Sequence, residues 1–126
     1  MIAVASNPSD VVLPQAYRDK HFGNVAQWRI TNGRAYTVVG LIVYSGVVLI
    51  LVQDDIGRPA FLPITAFHRF DGNIPSDWSA KVLSDTITAI GPPFLVEEKG
   101  AFNDFVDGDP GRARLFYQYL ASSGSQ

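Results

Sequence analysis

No cysteine occurs among the 126 residues, which excludes a disulfide framework, a cysteine zinc site, a thiol nucleophile and a cysteine-ligated cluster. Charge is scarce as well. Ten Lys and Arg stand against twelve Asp and Glu, a net charge of −2, so there is no basic footprint to neutralise phosphates and nucleic acid is not expected as a partner. The two histidines, His21 and His68, lie far apart and in no metal-ligand spacing. No G-x-S-x-G elbow, P-loop or G-x-G-x-x-G fingerprint is present, so the familiar nucleophile and phosphate-cradling devices are missing. The stretch from Met1 to Pro14 carries no Lys or Arg, unlike the charged start of a secretory signal.

What is there is apolar: 47% of the residues are hydrophobic and only 17% charged, enough for the packed core of one domain. The uncharged run from Ala35 to Val52 raises the question of a membrane span. Its Gly40, Ser45 and Gly46 and its load of Val and Ile answer it differently. Cut at Ser45-Gly46 it becomes two strands, Ala35–Tyr44 and Val47–Gln53, that read as a β-hairpin covered on both faces. No membrane contact is expected, and the chain reads as cytoplasmic.

Short strands surround this hairpin. Residues 1–13 predict a short strand or arm, and Pro14 to Lys20 a single helical turn with proline at its first position. Val25 to Ile30 alternates with the period of a half-buried strand and ends at Asn32-Gly33, a pair that tolerates positive φ. Asp54-Asp55-Ile56-Gly57 reads as a turn. Ala60 to Ile64, between Pro59 and Pro63, reads as an edge strand. Ala66 to Phe70 predicts another strand, closed by Asp71-Gly72-Asn73. Trp78 to Leu83 and Thr86 to Ile90 predict a hairpin across Ser84-Asp85, although their apolar positions also fit a helix; the β-branched residues favour strands.

After about residue 95 the pattern changes. Ala101, Phe102, Phe105 and Val106 form a helical stripe, ended by Gly108. Asp109-Pro110 then supplies an N-cap and first-position proline for a second helix, with Ala113, Phe116 and Leu120 on one face and Tyr117 off it. Residues 1–126 therefore form a single domain, mainly β over about 1–95 with two short helices over about 96–122. Consecutive antiparallel strands of this length predict a small SH3-like barrel with a helical cap.

The acidic residues give no enzyme signature. Asp104, Asp107 and Asp109 lack the ligand alternation of a calcium loop, and Glu97-Glu98 is an ordinary charged approach to a helix. Arg34, Arg58, Arg69, Arg112 and Arg114 are too dispersed for an anion clamp. Asp54 and Asp55 read as a solvated hairpin tip rather than an acid/base pair, because neighbouring side chains diverge. Neither a metal nor a cofactor is expected. Trp78, held by Ile74-Pro75, is expected to anchor the core, as are most of the aromatics.

The segment from Arg58 to Trp78 (RPAFLPITAFHRFDGNIPSDW) and the stretch from Phe102 to Pro110 resemble small bacterial SH3-like proteins in which a strand ends in an aromatic-x-x-Asp-Gly turn followed by Ile-Pro-Ser-x-Trp. Some proteins of that kind are immunity partners of secreted toxins. The resemblance implies a structural module and a protein partner, of which a toxin is one case; it brings no catalytic residue with it. The leading expectation is thus a non-enzymatic protein-binding domain, contacting its partner through Asp54, Asp55, Asp71, Asp77 and Asp85, all in predicted turns. Two rivals are a small ligand-binding barrel or enzyme that joins a His to a loop carboxylate, and a phage or virion structural component. The oligomeric state is left open.

Overall fold

The computed structural model describes residues 1–7, 11, 28–96 and 108–123. Among them, seven strands run β1 (Ile2–Ala5), β2 (Ala35–Tyr44), β3 (Val47–Gln53), β4 (Pro59–Pro63), β5 (Phe67–Asp71), β6 (Ser79–Val82) and β7 (Ile87–Gly91). A single 3-10 turn, Ile64–Ala66, separates β4 from β5. Among the described residues two helices follow, α1 (Pro93–Val96) and α2 (Pro110–Ser123). The predicted helical turn before Lys20, the 101–106 stripe, His21, Glu97, Glu98, Asp104 and Asp107 lie outside the described residues. The described end of the predicted Val25–Ile30 strand, residues 28–30, is irregular.

The apolar run is a hairpin with the boundaries its sequence predicts. Ser45 (φ 48°) and Gly46 (φ 85°) both adopt positive φ, the conformation whose twist matches a two-residue strand reversal. Among the described residues no helix is long and apolar enough to cross a membrane. The second predicted hairpin also forms as strands: β6 pairs β7 with Val82 opposite Thr88 and Ser79 opposite Gly91.

All pairings are antiparallel, in the order β4-β3-β2-β1-β5, with β7 and then β6 branching from β2. β2 is long enough to hold two neighbours on one edge. Its first residues pair β1 (Ile2 opposite Thr37), whereas Leu41 to Tyr44 pair β7. The row forks there, and the expected closed barrel is replaced by an open sheet: β4 and β5 end the row without meeting. Pro59 and Pro63 in β4 supply a physical reason, because proline has no N–H to offer a further strand. β6 is exposed at all four positions, with Lys81 midway, a charge that discourages edge-to-edge pairing.

Both faces of the central hairpin are covered, as its composition requires. Val47, Leu49 and Leu51 point to one side and pack with Val39, Ile42, Leu95 and Phe116. Ile50 and Val52 point to the other and pack with Ala3, Ala5, Tyr36, Leu62 and Phe67. Each such fully buried side chain contributes roughly 1.5–3 kcal/mol before the entropy of ordering is charged. α2 docks through Phe116, which is fully buried, and begins on its predicted cap: Asp109 Oδ2 accepts the Arg112 N–H at 3.1 Å.

Candidate functional site

The five candidate aspartates separate into three places. Asp54 and Asp55 occupy the β3–β4 turn, and there the expectation of a solvated tip is corrected. Asp54 is 7% exposed. Its Oδ1 accepts the N–H groups of Ile56 (3.2 Å) and Arg58 (2.9 Å), closing the turn on itself. Asp55 turns inward to a set of donors: Tyr36 Oη at 2.6 Å, Thr31 Oγ1 at 2.7 Å and Arg34 Nη1 at 2.8 Å. Its own N–H donates to the Arg29 carbonyl at 2.7 Å.

Burial pushes the Asp55 carboxyl up, but the hydrogen bonds from Tyr36 and Thr31 and the Arg34 charge outweigh it and hold the group below its ordinary value. The same burial, together with the bond to Asp55, raises Tyr36. A raised tyrosine beside an occupied carboxylate is a poor nucleophile and a poor base. This cluster ties the segment before β2 to the β3–β4 turn, and its chemistry is that of a latch.

Asp85 stands at the tip of the β6–β7 hairpin, remote from the others along the strands. Asp71 and Asp77 flank the β5–β6 loop. Asp71 pairs with Arg69 at 3.0 Å and lies opposite Ile2 in the β1–β5 register. Asp77 is exposed and makes no hydrogen bond or ion pair among the described residues. It stands on the wall of a cleft of about 430 Å³, opened where the sheet forks and lined also by Thr37, Val38, Pro75, Tyr119 and Ser122. Met1 lines it too, and its carbonyl oxygen accepts the Val38 N–H at 2.9 Å.

One hydrogen bond holds the cleft's outer wall to its helix. Trp78 Nε1 donates to Tyr119 Oη at 3.0 Å, across 41 residues of chain. Trp78 is half-buried: it packs against the core as expected and also bridges the loop to α2. Burial raises the Tyr119 hydroxyl, the bond from Trp78 opposes this, and the Asp77 charge adds to the rise; the group is a neutral hydroxyl at physiological pH. Sequence reasoning missed Thr37, Tyr119 and Ser122 as site residues. The one available signal was the helix register, which sets Tyr119 and Ser122 three residues apart on a shared face.

His68 lies in a separate groove of about 590 Å³ beside Ser6, Asn32, Thr65 and Phe67. Its Nδ1 is 3.4 Å from Ser6 Oγ. Among the described residues no carboxylate lines this groove. No three His, Asp or Glu gather in a metal-holding group among the described residues. The chain matches no family model, no curated protein and no solved structure.

Proposed function

We propose that this chain is a cytoplasmic, non-enzymatic protein-binding domain that takes a basic partner at the forked end of its sheet, where Asp71 and Asp77 flank the cleft. The observation that carries the reading is Asp77: an exposed carboxylate with no hydrogen bond or ion pair among the described residues, on the wall of a cleft of ligand size. Asp54 and Asp55 are spoken for within the fold, so the acidic contact contracts from five aspartates to Asp71 and Asp77, with Asp85 as an outlying charge. A toxin neutralised by its immunity protein is one partner of this kind, as the sequence resemblance implies.

The SH3-like reading of the fold belongs to the same proposal. Its support is the row in which β1 lies between β2 and β5, β3 and β4 follow as a meander, and a 3-10 turn precedes β5. Such a row is a small barrel left open on one side, with the β6–β7 hairpin added at the fork.

The test is affinity capture from the source cell, identification of the captured protein, and association kinetics at two ionic strengths. The partner is expected to be basic. Asp77→Asn should slow association more than it speeds dissociation, and the difference should shrink as salt rises. A partner whose kinetics ignore both Asp71→Asn and Asp77→Asn would overturn the reading, as would turnover of a substrate that is lost in His68→Ala.

A further inference from the structure

We infer that the free edge of β6 takes an extended segment of the partner as an added strand, with an acidic residue of that segment across from Lys81 and basic residues toward Asp77 and Asp85. This mode rests on the protein-binding reading above and states how such a partner is held.

The backbone decides which edge is open. Among the described residues β6 pairs β7 alone. The Leu83 N–H donates to the Ile87 carbonyl at 2.9 Å, and the hydrogen-bonding groups of an antiparallel strand alternate in direction. Ser79 and Lys81 therefore turn theirs to β7 as Leu83 does, while Ala80 and Val82 each present an N–H and a carbonyl outward. The two ends of the row suit an added strand less well. In β4 the Arg58 carbonyl accepts the Asp54 N–H at 2.9 Å, so the outward positions are Pro59, Phe61 and Pro63, and neither proline has an N–H to give. β5 lies along the register shift between Val4 and Ala5 of β1, an irregularity that interrupts an edge.

Side chains then define the occupant. Ala80 and Val82 share a face with Ile90 and Thr88, and β2 continues that face with Leu41 and Val43. Val82 is 72% exposed, so an apolar residue on a strand beside it extends the face. Lys81 projects from the opposite face, an exposed cation in the middle of the edge. Asp77 precedes β6 by two residues and Asp85 follows it by three, and both are exposed. Acid, base and acid thus stand at four-residue intervals along the chain, which complements a segment ordered base, acid, base. The same Lys81 opposes a second copy of β6, so the edge selects a partner of different sequence.

The probe is a capped peptide, Arg-Thr-Thr-Val-Glu-Val-Thr-Thr-Arg, titrated into the isotope-labelled intact chain and followed by amide shifts and amide hydrogen exchange. In the free protein the amides of Ala80 and Val82 should exchange freely and those of Lys81 and Leu83 slowly. The peptide should shift β6 saturably and protect Ala80 and Val82. The same peptide N-methylated at both valines lacks the N–H groups that an added strand donates, and it should not bind. Lys81→Glu should weaken binding about fivefold, and replacing the peptide's Glu by Lys should restore it. Ala80→Pro removes an outward N–H but no bond to β7, and should also weaken binding about fivefold; Lys81→Glu carries the test if that variant does not fold. A silent titration, undiminished binding of the N-methylated peptide, or shifts centred on β4 or β5 would each overturn the inference. Protection of Ala80 and Val82 that appears on concentrating the free protein would overturn it too, by making a second copy the occupant.

The two readings separate cleanly. A silent titration alongside partner association that still slows in Asp77→Asn removes the added strand and keeps the protein-binding role. Peptide binding at β6 alongside a captured partner indifferent to Asp77→Asn and Lys81→Glu removes the role and keeps the open edge.

Discussion

Asp55 shows how one side chain changes its meaning with its neighbours. In sequence it is the second member of an acidic turn; in the fold it is the acceptor for Tyr36, Thr31 and Arg34. An asparagine there loses the charge and replaces one of the two oxygens by an NH2, which sets a donor against Thr31 Oγ1 or against Tyr36 Oη and Arg34 Nη1, and a mismatched polar contact is the costly case. Asp55→Asn is expected to cost about 1–3 kcal/mol at pH 7 in a urea melt. The pH dependence has a definite sign. The folded-state carboxyl is held below its unfolded value, so its contribution is complete above the ordinary carboxylate range, near pH 4, and is lost as pH falls through the folded value. Wild-type and Asp55→Asn melts compared across pH 7 to 2 should therefore differ by a constant amount until about pH 4 and converge below it. Curves that stay parallel to the acid end would show that the carboxylate is unpaired in solution.

At the scale of elements, the start of α2 is fixed by local chemistry. Asp109 accepts the Arg112 N–H, and Ala113 N–H closes the first turn on the Asp109 carbonyl at 3.2 Å. Asp109→Ala should cost about 1 kcal/mol, whereas Asp109→Ser, which keeps a capping oxygen, should be nearly neutral. Equal loss in both would mean that the carboxylate acts through its charge instead. Features of this short range were legible in the sequence: the cap, the Ser45-Gly46 reversal that bounds β2 and β3, and the two prolines that make β4 an edge. Elements whose state depends on distant pairing were not. The alternation of Val25 to Ile30 predicts a strand, yet residues 28–30 are irregular, since alternation supplies a face but no neighbour to hydrogen-bond. Likewise Asp77 was legible as a turn residue, while the Tyr119 and Ser122 that line the same cleft are set by how α2 docks.

For the whole molecule, the decisive feature is the division of one edge of β2 between β1 and β7, which opens the sheet and creates the cleft. That division cannot be read from local pattern, because either partner alone would satisfy β2. It depends on a tight seat just beyond the fork. Leu95 of α1, fully buried, rests against the backbones of Gly40 in β2 and Gly91 in β7. A Cβ at Gly91 would stand 2.8 Å from Leu95 Cδ2, and one at Gly40 would meet the same methyl group still more closely. Leu95 has no exposed surface into which it can swing, so Gly40→Ala must push α1 off the sheet. The expected loss is about 1–3 kcal/mol by urea melt, the range for overpacking a filled core. Leu95→Ala alone should cost about 2–5 kcal/mol by emptying the seat. If the clash is the cause, the double variant should be more stable than the sum of the two losses implies, by about 1 kcal/mol or more, because the new methyl occupies part of the space that Leu95 leaves. Strict additivity would place the cost of Gly40→Ala in the backbone of β2 and detach the fork from the packing of α1.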